Sequence, residues 1–217
     1  MLISHFNKWI FIHIPKTGGS SITSSLWSHA DVQGASLQQL KNPSLNLPNK
    51  KIDLNFFQHD TSAEISQKMQ DHGYHPYKDY FSFAFVRNPW SRAVSTWVYW
   101  NKLVSSGKGF PWCIEAVNNC ENFSEFVFSK YFSDRSQLDF LTNQKGDIIV
   151  DYIGKLETIE KDFLIISKKI NLNNLNLPHE NSTKHCFYTK FYNKDTISKV
   201  YNKYNKDIDF FGYDFGK

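Results

Sequence analysis

The chain of 217 residues has few cysteines, few methionines and no long apolar run. Its three cysteines, Cys113, Cys120 and Cys186, form neither a C-x-x-C pair nor a Cys/His ligand pattern. That argues against a disulfide framework and against a zinc site. Cys113 and Cys120 are close enough in sequence to bridge a loop in an oxidising compartment, but free thiols in a reducing one is the reading carried forward. No stretch of about 18 apolar residues occurs, and the first apolar segment is too short for a secretory signal. The expectation is a cytoplasmic protein. Repeats at solenoid periods are also missing. Neither sign of charge dominates: 25 Lys and Arg stand against 21 Asp and Glu, for a net charge of +4. Such a mild excess suits a small anionic ligand or a nucleic acid, and charge alone does not choose between them.

Aromatic residues, by contrast, are plentiful, with 19 Phe, 11 Tyr and 6 Trp. Most are expected in a core, which a chain of this length is able to bury. Trp9 to Ile14 is rich in β-formers and reads as a buried strand, followed by a helix over Ser20 to His29. Residues 31 to 51 read as a loop, and Asp53 to Gln58 as a second strand. Thr61 to His72 reads as a helix whose "TSAE" start fits a capping box between Thr61 and Glu64. Tyr80 to Val86 is a further strand, after which Asn88 caps a helix with Pro89 at its first position, where the missing N–H costs nothing. Ser105 to Asn122 reads as a surface loop, Phe123 to Tyr131 as a helix, Asp147 to Ile153 as a strand and Ile159 to Ile170 as a helix. An Asn-rich loop, 171 to 182, precedes a last helix over Asp195 to Lys206.

Strands alternating with helices indicate an α/β fold with a parallel sheet covered on both faces, in one domain spanning residues 1 to 217. The plan expected is the three-layer one of the P-loop NTPases, with about five strands. In such sheets ligands sit beyond the carboxyl ends of the strands. Two strand-to-helix turns there carry anion-binding chemistry.

The first turn is "PKTGGSS". Gly18 and Gly19 let the backbone approach an anion, whose charge successive N–H groups at a helix start attract. Thr17, Ser20 and Ser21 add hydroxyls, and Lys16 adds a full positive charge. A Walker A loop places its lysine after the glycines and a Ser/Thr for magnesium behind it. That order is absent here, which argues against a kinase. In the second turn, "VRNPWSRAVS", Arg87 stands at a strand end and Ser95 lies eight residues on. An arginine there can grip an anion through a bidentate fork. Alone, either turn has an ordinary structural explanation. Together they suit a ligand with two separated phosphate groups.

These segments resemble the sulfotransferases that use 3′-phosphoadenylyl sulfate (PAPS), and within them the carbohydrate-type branch that includes the heparan 2-O- and chondroitin 4-O-sulfotransferases. "HIPKTGGSS" is similar to that family's loop for the 5′-phosphosulfate, and "FAFVRNPWSRAVS" to its 3′-phosphate motif. "QHDTSAEI", "RSQLDFL", "YIGKLETIEKDF" and the closing "NSTKHCFYTKFYNKDTISKVYNKYNKDIDFFGYDF" extend the resemblance over nearly the whole chain, in order. Ser91 departs from the pattern, since many relatives carry an acidic residue there.

The resemblance implies sulfuryl transfer from PAPS to a hydroxyl, for which no metal is expected, with a carbohydrate as the favoured acceptor and no nucleic-acid partner. It implies that Lys16 neutralises the charge growing on the leaving phosphate oxygen, with the loop N–H groups and Thr17 sharing that load. Family likeness and position favour His59 as the base for the acceptor hydroxyl; a capping or surface histidine is the plainer alternative. Asp60 could orient His59, although neighbouring side chains on an extended segment point to opposite sides. His13 reads as a core residue, and His179 and His185 rank below His59. Arg92 faces either the 3′-phosphate or a carboxylate such as Glu157. Asn181 and Ser182 match a late element that closes over the nucleotide, and Arg135 and Gln137 are candidates for facing the acceptor. A kinase and a non-catalytic anion or glycan binder are the competing readings.

Overall fold

The computed structural model describes residues 1–36, 52–132, 135–173, 175–178 and 187–217. His179, Asn181, Ser182, His185 and Cys186, all singled out from the sequence, lie outside the described residues. The chain forms two compact units, one made of Met1–Val86 with Gln137–Ser182 and the other of Arg87–Ser136 with Thr183–Lys217.

The first unit holds a six-stranded sheet in the order β4-β3-β1-β2-β5-β6. Its strands are β1 (Leu2–Ser4), β2 (Trp9–Ile12), β3 (Val32–Ala35), β4 (Ile52–Phe57), β5 (Phe81–Val86) and β6 (Tyr152–Lys155). β2 runs parallel to β5 with Trp9 opposite Phe81, β5 parallel to β6 with Phe83 opposite Tyr152, and β3 parallel to β4. Every residue of β2 is buried, and so are the last five of β5. Successive strand residues face opposite sides, so both sides of the sheet are covered at these strands. Helices α1 (Gly19–Leu26), α2 (Ser62–Asp71) and α6 (Ile159–Lys169) belong to the same unit. Trp9, Phe11, Phe83 and Phe85 from the sheet form its core with Ile22 and Leu26 of α1 and Phe163 and Ile166 of α6.

The α/β architecture with helices flanking a sheet agrees with the sequence, but β1 makes the sheet mixed, pairing antiparallel with both β2 and β3. A three-residue strand is too short to show a period, and its pairing depends on a turn held from elsewhere. The Asp31 carboxylate supplies that hold, accepting from the backbone N–H of His5 at 2.6 Å and of Phe6 at 3.2 Å. β3 falls where the sequence suggested loop. Gly34 in it marks a close approach to β4, since an ideal Cβ there would stand 2.5 Å from the Phe57 carbonyl oxygen. β6 starts at Tyr152, later than expected, and is fastened to α6 by Asp162. That carboxylate accepts from Tyr152 Oη at 2.8 Å, Lys155 N at 3.0 Å and Thr158 Oγ1 at 2.6 Å.

The second unit packs α3 (Pro89–Ser105), α4 (Pro111–Asn119), α5 (Phe123–Phe128) and α7 (Lys194–Phe211). Aromatic rings fill it: Trp97 stacks on Phe126 at 5.2 Å between centroids, Phe126 meets Phe132 edge-on at 5.5 Å, and Phe132 meets Tyr204 at 5.7 Å. Buried indole and phenol groups need partners. Accordingly Trp90 Nε1 donates to the Ile197 carbonyl at 3.1 Å, and Tyr192 Oη donates to the Trp90 carbonyl at 2.8 Å. α4 lies inside the segment expected to be loop. Pro111, a loop signal in the sequence, occupies the first turn of α4, where proline is tolerated. The last helix runs past Lys206 to Phe211, with a non-helical residue at Tyr204, and stops at Gly212 in the left-handed conformation. Cys113 and Cys120 are both buried free thiols.

Candidate functional site

In the first unit, β2 ends at Ile12 and the chain reaches α1 through His13-Ile14-Pro15-Lys16-Thr17-Gly18. Two residues of this loop take positive φ, Gly18 at 84° and Lys16 at 68°. Glycine adopts that conformation freely, whereas for lysine it costs roughly 1–2 kcal/mol. Strain of this kind clusters at ligand clamps and switch regions, although Lys8 and Asn171 also take positive φ here. The Thr17 hydroxyl donates to the Ile14 carbonyl at 2.9 Å and is almost fully buried, so this side chain closes the loop from within. Ser20 is exposed and Ser21 buried.

The N-cap of α1 is Gly18, which has no side chain to accept from the helix N–H groups. Helices α2, α3, α5 and α7 each have a capping side chain, from Thr61, Asn88, Asn122 and Asn193 respectively. At α1 the Gly18 carbonyl accepts from Ser21 N at 3.1 Å. The N–H groups of Gly19 and Ser20 thus have no cap side chain, the arrangement that favours an anion.

His13 lies at the centre of this site. It is 6 % exposed, as its strand position suggested, but its surroundings are not those of an ordinary core residue. An ideal Cβ on Gly19 would fall 1.9 Å from His13 Nε2, so Gly19 is glycine here because the imidazole fills the space of a side chain. The ring stacks on Phe11 at 5.6 Å and meets the His59 ring edge-on at 4.7 Å. The Gln58 side-chain amide is 3.4 Å from His13 Nδ1. Burial, with His59 and Lys16 close by, holds the His13 pKa well below the ordinary imidazole range, so this ring is neutral.

His59 follows β4 in a turn and is exposed. Its Nδ1 lies 2.7 Å from the His13 carbonyl oxygen. A carbonyl only accepts, so Nδ1 carries the proton and the neutral ring presents its lone pair at Nε2. The backbone of one histidine therefore sets the tautomer of the other. Asp60 plays no part in this: its carboxylate accepts from Phe57 N at 2.8 Å and pairs with Lys68 at 2.7 Å. The Thr61 and Glu64 capping box read from the sequence is present directly after it.

In the second unit, Asn88 caps α3 as expected. Its Oδ1 accepts from Trp90 N at 3.1 Å and Ser91 N at 3.3 Å, while its carbonyl accepts from Arg92 N at 2.8 Å. With proline at the first position, the opening N–H groups of this helix are spent on Asn88, unlike those of α1. An anion at this turn would therefore be met by side chains. Arg87 Nε donates to Ser91 Oγ at 2.9 Å, and Ser95 follows one helical turn later on the same face. Arg92 differs. It is 2 % exposed, donates to the Arg135 carbonyl at 3.1 Å and lies 5.9 Å over the Tyr204 ring, so it is built into the interior of this unit. The Arg135 side chain is exposed, and Gln137, in the first unit, is fully buried.

Sequence reasoning missed His13 and Gln58 as members of the site and Ser91 as the partner of Arg87. The four-residue spacing of Arg87 and Ser91 was a usable signal. Nothing local indicated that His13 meets Gly19 and His59, because those contacts join β2, α1 and the end of β4. Among the described residues no group of three or more His, Cys, Asp or Glu is placed to hold a metal, and no helix is long and apolar enough to cross a membrane.

The chain is similar to several known proteins. An uncharacterized protein of Archaeoglobus fulgidus is 35% identical over 97 residues, 43% of this chain and 69% of that one. A mouse sulfotransferase complexed with PAP superposes over 95% of this chain and 86% of its own, at 13% identity and a TM-score of 0.49. A sulfotransferase from Alicyclobacillus acidocaldarius superposes over 93% and 92%, at 14% identity and a TM-score of 0.47. The model of the Sulfotransferase family matches residues 1–214. With both turns and nearly every residue inside that match, the chain belongs to the sulfotransferase family.

Proposed function

We propose that the protein transfers a sulfuryl group from PAPS to a hydroxyl of a carbohydrate acceptor. The observation that carries this reading is the arrangement around α1: an uncapped helix start, Lys16 held in a left-handed conformation before it, and His59 fixed through Nδ1 on the His13 carbonyl. PAPS, when bound, supplies an activated sulfuryl group on a phosphate leaving group.

The N–H groups of Gly19 and Ser20 hold the 5′-phosphosulfate in this reading, and Lys16 neutralises the charge that grows on the bridging phosphate oxygen. His59 Nε2 takes the proton of the attacking hydroxyl as the new oxygen–sulfur bond forms and the bond from sulfur to the bridging oxygen breaks. The products are a sulfate ester and adenosine 3′,5′-bisphosphate, with the proton on His59 passing on to solvent. The sequence resemblance assigns the 3′-phosphate to Arg87 and Ser95. Asn181 and Ser182 are placed near the nucleotide by the sequence resemblance alone. The carbohydrate acceptor rests on the likeness to the carbohydrate-type branch.

The test is incubation with PAPS and a panel of saccharide acceptors without added metal, following release of adenosine 3′,5′-bisphosphate. Acceptor-dependent release is expected. A protein that binds neither PAPS nor the bisphosphate product, or that turns over ATP with magnesium instead, contradicts the proposal.

A further inference from the structure

We propose that Ser91 is a positioning residue that fixes the Arg87 guanidinium for the 3′-phosphate of the nucleotide; this rests on the reading of Arg87 given above. Arginine is long and loses several rotamers on binding, so a group that holds it beforehand lowers the cost of recognition. Ser91 is such a group. Its Oγ accepts from Arg87 Nε at 2.9 Å, and its own backbone is held by the Asn88 cap through an N–H bond of 3.3 Å. Pro89 and the cap set the first turn of α3 rigidly, so the direction of the Ser91 side chain is set as well.

Two consequences follow from using Nε in this way. A guanidinium held at Nε keeps a fixed plane, which is what a geometrically specific contact with a phosphate requires. A hydroxyl is also neutral, so it orients the guanidinium without cancelling its charge, whereas a carboxylate at this position would neutralise part of it. Moreover, the opening N–H groups of α3 are taken by Asn88, so the backbone cannot substitute for the side chains at this turn. Ser95, one turn beyond Ser91, continues the same polar face with a second hydroxyl.

The experiment measures the affinities of adenosine 3′,5′-bisphosphate and of adenosine 5′-monophosphate by calorimetry for the wild-type protein, Ser91→Ala and Ser91→Thr. The two nucleotides differ only in the 3′-phosphate, so their ratio isolates that contact. Alanine is a good helix former at a partly exposed site, so the variant is expected to fold. Ser91→Ala should lower the preference for the bisphosphate about three- to tenfold, the scale of the net contribution of one hydrogen bond, with affinity for the monophosphate unchanged. Ser91→Thr, which keeps the hydroxyl, should keep the wild-type preference. An alanine variant with the full wild-type preference overturns the positioning role while leaving the reading of Arg87 intact. A wild-type protein that does not prefer the bisphosphate overturns the Arg87 reading, and this inference with it.

Discussion

The imidazole of His13 stands where a side chain of Gly19 would have to be, with Nε2 1.9 Å from the ideal Cβ position. The strand end and the helix start are thereby locked together by a contact that only glycine permits. The same histidine bonds His59 through its carbonyl at 2.7 Å. One buried, neutral residue thus shapes the turn before α1 with its ring and the proposed base with its backbone.

Replacing Gly19 by alanine forces the ring and the helix start apart. Overpacking of this kind costs about 1–3 kcal/mol, and denaturant unfolding should show it. In Gly19→Ala/His13→Ala the added methyl gains the space of the lost ring, so the double variant should be more stable than the sum of the single changes implies. Additivity within about 0.5 kcal/mol would mean that the two residues are not coupled.

At Lys16 the demands of stability and of function diverge. The left-handed backbone at φ 68° favours glycine, so Lys16→Gly should be about 1 kcal/mol more stable than Lys16→Ala. Both variants lack the charge at the leaving group and should lose about 100-fold or more in kcat. Normal turnover in either one contradicts the role given to the lysine.

His59→Ala removes the proposed proton acceptor but none of the groups at the α1 helix start. Its kcat should fall by about 100-fold or more, while calorimetry should show unchanged affinity for adenosine 3′,5′-bisphosphate. If that affinity falls in parallel with kcat, His59 serves binding and not proton transfer.

The pH dependence of stability has a definite sign at His13. Its pKa is lowered in the folded protein from the ordinary 6.5, by burial first and then by His59, the amino terminus of the chain and Lys16. The unfolded chain therefore takes up a proton below 6.5 that the native ring refuses. The share of stability carried by His13 is complete above that pH and falls as the pH drops towards the folded value, with a slope of up to about 1.4 kcal/mol per unit. His13→Asn should be less stable at neutral pH yet show a shallower loss from pH 6.5 downward. Parallel stability curves for the two proteins would exclude a native histidine that resists protonation.

Local interactions made part of this structure legible in the sequence. The Thr61–Glu64 capping box and the Asn88–Pro89 helix start are both present, because each is built from bonds between residues two to four apart. The buried strands β2 and β5 were equally readable, since continuous apolar runs imply cover on both faces. β1 and β3 were not, because Leu2–Ser4 and Val32–Ala35 carry no apolar run like that of β2 and owe their existence to pairing partners elsewhere in the chain. Pro111 and the glycines before it concealed α4 in the same way, as residues that punctuate loops also open helices.

The residues of the chain alone established that a glycine turn carrying a lysine and hydroxyls leads from β2 into a helix, because β-formers, adjacent glycines and a helical segment follow one another locally. Tertiary structure decided what each glycine is for. Gly18 supplies the left-handed cap and the missing cap side chain, a property of its own backbone. Gly19 makes room for His13, a property of the packing of strand against helix that no local pattern encodes. The tautomer of His59 was decided there too, by a carbonyl 46 residues away in the chain, because hydrogen bonds depend on proximity in space and not on separation in sequence.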